Sequence, residues 1–253
     1  MTVVLETFGL TKRYGRDTVV DHLDLSVEKG EIFGFLGPNG AGKTTTILMM
    51  LGLSEPSEGR SLVLGEDPIK SPLKVKANVG YLAENMGVYP DLTARENLSF
   101  IAQLNSLKNS NPIVDEMLAL VGLTQAADKK AGTFSRGMRQ RLGLAEVLLK
   151  SPKLVFLDEP TLGLDPDGIA VMLELIERLP REMGLTVILC SHLLHLVSRV
   201  AKRVGILDRG RLLALGTVEQ LAQERGLAPD LELIYRCCFR EPAVAEGLDA
   251  RNH

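Results

Sequence analysis

Residues 37–44 read Gly37-Pro38-Asn39-Gly40-Ala41-Gly42-Lys43-Thr44, and this stretch decides the fold. It matches G-x-x-x-x-G-K-[ST], the pattern of a phosphate-binding loop. Its glycines let several backbone N–H groups point into one hollow, and the N-terminus of the following helix adds partial positive charge there. We therefore predict that these eight residues, together with Thr45, bind the phosphates of a nucleoside triphosphate.

The residues around the loop supply the context that the motif requires. The apolar residues 31–36 before it are typical of a buried strand, and residues 45–51 after it suit a helix. Within the loop, Lys43 can reach the β- and γ-phosphates, and the Thr44 hydroxyl can ligate Mg²⁺.

A second apolar strand is predicted at residues 153–157, and it ends in two carboxylates, Asp158 and Glu159. We expect Asp158 to hold Mg²⁺ through water at the mouth of the sheet. Glu159 is expected to take a proton from an attacking water molecule. Apolar strings ending in Asp-Glu are common, so this assignment depends on the phosphate loop in the same chain.

The overall composition narrows the class of protein. The chain has 253 residues, of which 45% are hydrophobic and 24% charged, with a net charge of −3. These values are ordinary for a soluble globular protein and give no support for a nucleic-acid partner. Three cysteines do not make a disulfide framework, and neither a signal peptide nor a bilayer-spanning run is predicted.

Strand-like and helix-like segments alternate along the chain, which favours an α/β fold with a largely parallel sheet. The segment from about 84 to 150 is helical in pattern and reads as an insertion, and an antiparallel β subdomain is expected near the N-terminus. Predicted strands lie at 2–8, 19–27, 31–36, 59–64, 79–83, 153–157, 185–190, 204–207 and 211–215. Predicted helix starts lie at Thr93, Asn111, Ser135, Asp165 and Thr217.

Two further segments could carry chemistry. Ser135 begins a helix whose first N–H groups form an anion site, although a plain helix cap would need neither Gly137 nor the basic residues nearby. No partner for that site is evident unless a second copy supplies the phosphate. His192 follows the predicted strand that ends at 190, and we expect it to point toward the nucleotide, although a lone histidine there is more often structural.

The phosphate loop, the Ser135–Gly137 helix start, Asp158-Glu159, Asp165 and His192, in this order, resemble the nucleotide-binding domain of ABC ATPases. The resemblance covers about residues 2–225 and implies a P-loop NTPase fold with ATP and Mg²⁺ as cofactors. We predict an ABC ATPase domain over 1–225, with a helical subdomain at about 84–150. A short tail at 226–253 would contain a helix at 231–235.

The resemblance also implies roles for individual residues. In that family two domains form a head-to-tail sandwich with two ATP molecules between them. Tyr14 would stack on adenine, and Ser135 and Gly137 would contact the γ-phosphate bound by the other subunit. Asp165 would cross the seam of the dimer, and His192 would hold the γ-phosphate and the attacking water.

This chain departs from the family pattern at two places. The signature usually begins Leu-Ser-Gly-Gly-Gln, whereas Phe134, Arg136 and Met138 replace three of those five residues here. Glu84 stands where the family usually has Gln; it can accept from water or ligate Mg²⁺ but cannot donate an amide N–H.

With residues 89–98, both departures resemble the type-two exporter branch. Residues 81–85 and 188–192 resemble, more narrowly, the ATPase of the nitrous oxide reductase maturation transporter, which serves copper-site assembly.

These observations predict a cytoplasmic ATPase subunit, peripheral on the inner face of the membrane. It would act as a homodimer or with a paired ABC subunit, on a transmembrane permease whose short helix docks at residues 84–98, and without nucleic acid.

The alternative is a soluble ABC ATPase acting on nucleic acid or ribosomes, but the 92 positions from Lys43 to Ser135 leave no room for a coiled coil. A P-loop kinase or GTPase would leave Ser135 and His192 unexplained. Cys237 and Cys238 could handle a metal or be ordinary helix residues.

Overall fold

The computed structural model describes residues 2–239, and two sheets organise this part of the chain. In chain order the strands are β1 Val3–Tyr14, β2 Asp17–Glu28, β3 Ile32–Leu36, β4 Glu58–Val63, β5 Val79–Leu82, β6 Leu154–Asp158, β7 Thr186–Ser191, β8 Arg203–Asp208 and β9 Arg211–Thr217. The helices are α1 Lys43–Met50, α2 Pro72–Asn78, α3 Ala94–Leu104, α4 Asn111–Leu120, α5 Arg136–Leu148, α6 Pro166–Met183, α7 Leu194–Val200, α8 Val218–Arg225 and α9 Leu231–Phe239.

The larger sheet has six strands in the order β5-β6-β7-β3-β8-β9, and neighbours are parallel except at β8 and β9. The smaller sheet is antiparallel, in the order β2-β1-β4. Strands β6 and β7 are buried along their whole length, which explains the apolar runs at 154–157 and 187–190. The predicted mixed sheet with an antiparallel subdomain is confirmed.

Helices α3, α4 and α5 follow β5 and precede β6, and they pack on one another. Helix α5 touches the segment after β5 at Gly143, where a Cβ atom would lie 2.6 Å from the Met86 sulfur and 3.1 Å from a Leu82 methyl carbon. Glycine inside a helix costs about 1 kcal/mol relative to alanine. The close approach of Met86 explains why glycine stands at this position.

Most predicted helix starts are confirmed, and one is wrong by a residue. Thr93 and Thr217 form complete capping boxes, and Ser135 and Asp165 cap α5 and α6 with their side chains. Helix α4 already includes Asn111, and Ser110 is the residue before it. The Asn-Pro pair therefore lies inside the first turn, where proline is still tolerated.

Helices α2 and α7 were not predicted. Each has seven residues, and α2 buries only Val75. Two turns with only one buried side chain in α2, or two in α7, do not produce a recognisable helical period. Within residues 2–239, no helix combines the length and apolar character needed to cross a bilayer.

Helix α9 confirms the predicted C-terminal helix and continues to Phe239. Cys237 is exposed and Cys238 is half-buried. No group of three or more His, Cys, Asp or Glu side chains in the described part of the chain could hold a metal ion, so neither cysteine belongs to such a group. The rest of the predicted tail, 240–253, lies outside the described residues.

Candidate functional site

The carboxyl ends of β3, β6 and β7 lie side by side in the larger sheet. Leu36 of β3 pairs with Ser191 of β7, and Asp158 of β6 pairs with Cys190. The loops after these strands therefore meet at one edge of the sheet, where ligands bind in open α/β folds. This topology unites segments that are more than a hundred residues apart in the sequence.

A cleft of about 270 Å³ opens at this edge. Its lining is Val19, Asn39, Gly40, Ala41, Gly42, Lys43, Thr44, Thr45, Glu84, Asp158 and Glu159. All of these except Val19 were predicted from the sequence. A larger cavity of about 1110 Å³ lies where β3 and β8 begin, at the opposite edge, and includes His195 but no predicted site residue.

Gly42 connects the phosphate loop to helix α1. Its φ of +103° is in the region that favours glycine, and a Cβ atom would lie 2.6 Å from the Val19 carbonyl oxygen. Helix α1 starts at the next residue and has no acidic residue in its first turn. The positive end of the helix therefore faces the cleft without a competing carboxylate of its own.

The Lys43 ammonium lies inside the phosphate loop. It donates hydrogen bonds to the carbonyl oxygens of Gly37, at 2.7 Å, and Pro38, at 3.1 Å. The residue is only 6% exposed. Gly37 and Pro38 thus contribute by orienting this ammonium, although they do not line the cleft.

Thr44 and Asp158 form the contact that was predicted to hold a metal. The Thr44 hydroxyl donates to Asp158 Oδ2 at 2.8 Å, and the Tyr81 hydroxyl lies 3.5 Å from the same oxygen. Burial raises the pKa of Asp158; the charges of Glu159 and Glu84 add to this, and the Thr44 hydrogen bond and Lys43 oppose it.

These donors fit Mg²⁺. Hydroxyl and carboxylate oxygens are its preferred ligands, and it usually retains water and takes further oxygens from phosphates rather than from a protein cage. Thr44, Asp158 and Glu84 supply oxygens to the same cleft. Among the described residues that line the cleft, none carries a thiol or an imidazole. Their one amine is that of Lys43, which is bound to the phosphate loop.

Glu159 is held by two donors in a strained backbone conformation. Its φ is +49°, which is uncommon for a residue with a side chain and costs about 1–3 kcal/mol. His192 Nδ1 donates to Oε1 at 2.8 Å, and the Ser191 hydroxyl donates to Oε2 at 3.3 Å. His192 therefore joins the cleft through Glu159. Ser191 was not predicted as a site residue; a hydroxyl at the end of a strand beside His192 was the available signal.

Tyr14 lies at the end of β1 and does not line the cleft. The residue is 52% exposed, and the Lys12 ammonium lies 4.9 Å from the centre of the ring. Lys12 also donates to the Glu55 carbonyl oxygen at 2.6 Å, which ties this cation to the loop after α1. One face of the Tyr14 ring is thus occupied by a cation.

Ser135, Gly137 and Asp165 also lie away from the cleft. Ser135 Oγ accepts from the Met138 N–H at 3.2 Å, and Asp165 accepts from the Gly168 N–H at 3.0 Å. A Cβ atom at Gly137 would come no closer than 3.8 Å to Leu164. No contact among the described residues therefore requires glycine at 137.

Comparisons with known proteins agree with this geometry. A family model described as ABC transporter matches residues 20–162. The bacitracin transport ATP-binding protein of Bacillus licheniformis is 46% identical over 84% of this chain and 69% of its own length. The linearmycin resistance ATP-binding protein of Bacillus subtilis is 39% identical over 88% of this chain and 72% of its own length.

A solved structure titled as the ATP binding subunit of an ABC transporter superposes with a TM-score of 0.83 at 29% identity. The match covers 94% of this chain and 100% of that one. Sequence, fold and the geometry of the cleft thus lead to one family. The chain belongs to the ABC transporter family of ATPases, whose members bind and hydrolyse ATP.

Proposed function

We propose that this chain is the ATP-hydrolysing subunit of an exporter, that it works as a dimer, and that a separate transmembrane permease carries the substrate. The names of two relatives, for bacitracin transport and linearmycin resistance, support export of antibiotic-like compounds. In this proposal the chain is cytoplasmic and lies on the inner face of the membrane through its permease. It needs no nucleic acid.

We assign only the phosphates of ATP to the cleft. Its volume of about 270 Å³ is below the roughly 300–1000 Å³ of most ligand pockets. The adenine then belongs on the free face of Tyr14, whose other face meets Lys12. In this assignment the loop N–H groups, Lys43 and Thr45 bind phosphate oxygens.

Thr44, Asp158 and Glu84 would hold Mg²⁺, which neutralises charge on the β- and γ-phosphates when bound. Glu159 is the base that accepts a proton from the attacking water. His192 and Ser191 orient its carboxylate by donating to one oxygen each. Because Nδ1 of His192 is used in this way, Nε2 is the ring atom left to contact the γ-phosphate or the water.

The main support for the dimer proposal is the presence of a glycine, Gly137, close to Ser135 at the start of α5. Glycine in a helix costs about 0.5–1 kcal/mol relative to alanine, yet nothing in the described subunit needs it at 137. A phosphate approaching the start of α5 from outside would need it, because a side chain there would stand in the way. We therefore assign Ser135 and Gly137 to the ATP of a second copy, with Asp165 at the seam between them.

The substrate assignment predicts that bacitracin stimulates the ATPase of the chain assembled with its permease in liposomes. The rate of phosphate release from ATP is measured, and the chain without its permease serves as the control. Stimulation by cuprous ion instead would support the second candidate, the nitrous oxide reductase maturation transporter that residues 81–85 and 188–192 resemble. If neither bacitracin nor cuprous ion stimulates the ATPase, both assignments are contradicted.

We assign the permease contact to residues 84–98, which form the loop after β5 and the start of α3. The backbone of this loop is fixed by buried Asn97, which accepts from the Tyr89 N–H and donates to the carbonyl oxygens of Tyr89 and Thr93. Tyr89 is 47% exposed, and its ring makes an edge-to-face contact with Phe100, with 5.0 Å between the ring centres. A fixed loop with an exposed aromatic ring suits a protein contact.

Tyr89→Ala should therefore leave the free energy of unfolding of the subunit within about 0.5 kcal/mol of the wild-type value, as surface substitutions usually do. It should weaken co-purification with the permease or uncouple ATPase activity from transport. Leu73→Ala, which removes a more exposed apolar side chain from α2, is the matched control. A destabilised Tyr89→Ala subunit that still assembles and transports normally would contradict the assignment.

A further inference from the structure

The side chains that line the proposed nucleotide cleft carry more negative than positive charge. Three carboxylates line it, from Glu84, Asp158 and Glu159, against one cationic side chain, Lys43. The ammonium of Lys43 is directed to the carbonyl oxygens of Gly37 and Pro38, so it does not neutralise a carboxylate by direct contact. The N-terminus of α1 adds only about half a positive charge.

The third carboxylate, assigned above to Mg²⁺ together with Thr44 and Asp158, belongs to Glu84. It is exposed on the loop after β5, and among residues 2–239 no lysine, arginine or histidine forms an ion pair with it. Asp158 and Glu159, by contrast, are held by Thr44, His192 and Ser191. Glu84 thus contributes an uncompensated negative charge.

This charge acts on the metal-binding pair. Glu84 lines the same cleft as Asp158, whose Oδ2 accepts from the Thr44 hydroxyl. Burial is the largest cause that raises the pKa of Asp158, and the charge of Glu84 adds to it. A glutamine at position 84 would have nearly the same shape and no charge. The difference between the two is therefore electrostatic, and it falls on whatever negative group enters the cleft.

We propose that Glu84 makes a divalent cation a condition for ATP binding, so that metal-free ATP is excluded and the metal and the nucleotide bind together. Metal-free triphosphate would meet three carboxylates in a partly buried site, where like charges repel strongly. A divalent cation between the carboxylates and the phosphates turns both sets of repulsions into attractions. This inference rests on the proposed function, because it takes the cleft as the ATP and Mg²⁺ site.

The test is the dissociation constant of ATP, measured by calorimetry on the full-length chain with Mg²⁺ and with EDTA. In the wild type, the ratio of the two constants should be about tenfold larger than in Glu84→Gln, as loss of one nearby like charge implies. The change should come from tighter metal-free binding by the variant. A ratio that falls only because ATP with Mg²⁺ binds more weakly would show a metal ligand alone and would overturn the inference.

Two further variants separate charge from shape. Glu84→Asp keeps the charge and should keep the large wild-type ratio. Glu116→Gln removes one carboxylate from an exposed site on α4 and should also leave the ratio unchanged. Equal ratios in the wild type and Glu84→Gln would overturn the inference. A wild type that fails to bind ATP even with Mg²⁺ would instead overturn the assignment of the site.

Discussion

Glu159→Gln is expected to lower the rate of ATP hydrolysis by about 10²–10⁴-fold, the usual contribution of a general base. The amide keeps the shape of the side chain but cannot take a proton from water. Its oxygen can still accept a hydrogen bond from Ser191 or His192, so the local geometry should persist. ATP binding should remain, and an ATP-dependent dimer should accumulate.

Two measurements check this expectation: phosphate release at saturating ATP, and size exclusion with and without ATP. Glu116→Gln, the same chemical change on the exposed side of α4, should behave as the wild type in both. Hydrolysis by Glu159→Gln at a near-normal rate would remove Glu159 from the role of base. The strained backbone at this residue would then need another explanation.

Ser135→Arg is expected to abolish hydrolysis while leaving ATP binding by the single subunit intact. Ser135 is exposed at the start of α5 and touches no residue of the cleft in its own subunit. A long cation there would block the approach of the phosphates held by a second copy. Binding depends on the cleft alone, so the two readouts should separate.

Loss of the helix cap by itself costs about 1 kcal/mol, which the design must account for. Thr217→Arg is the matched control, because it removes the corresponding cap of α8 and adds the same charge elsewhere. Mixing Ser135→Arg with Lys43→Ala should restore part of the activity, since each mixed dimer contains at most one intact composite site. Normal hydrolysis by Ser135→Arg alone would contradict the dimer arrangement.

The parts of the fold that followed from the sequence are those specified by local patterns. The phosphate loop needs glycine at special backbone angles, and buried strands need unbroken apolar runs, so residues 37–44 and β6 were recognisable. Strand alternation then implied a shared edge, which is why Lys43, Thr44 and Asp158 could be expected to meet. Capping residues such as Thr93 marked helix starts because their side-chain chemistry is local.

Other features depend on distant neighbours and left no such pattern. Val19 lines the cleft because β2 passes close to the phosphate loop at Gly42. The residues around Val19 in the sequence do not indicate this contact. Ser191 acquires a partner because Glu159 adopts a left-handed backbone angle that its residue type does not favour. The contacts assigned to Ser135 and Asp165 involve a second copy, so neither the sequence nor the structure of one subunit contains them.

Because Met86 packs closely against Gly143, a displacement of the loop after Glu84 would bear directly on helix α5. Gly143 is eight residues from Ser135, or about 12 Å along a helix that rises 1.5 Å per residue. A tilt of about 5° at Gly143 would move the start of the helix by about 1 Å, enough to make or break a hydrogen bond. A push on one loop would thus be amplified at the far end of a rigid lever, where the other subunit's nucleotide is expected.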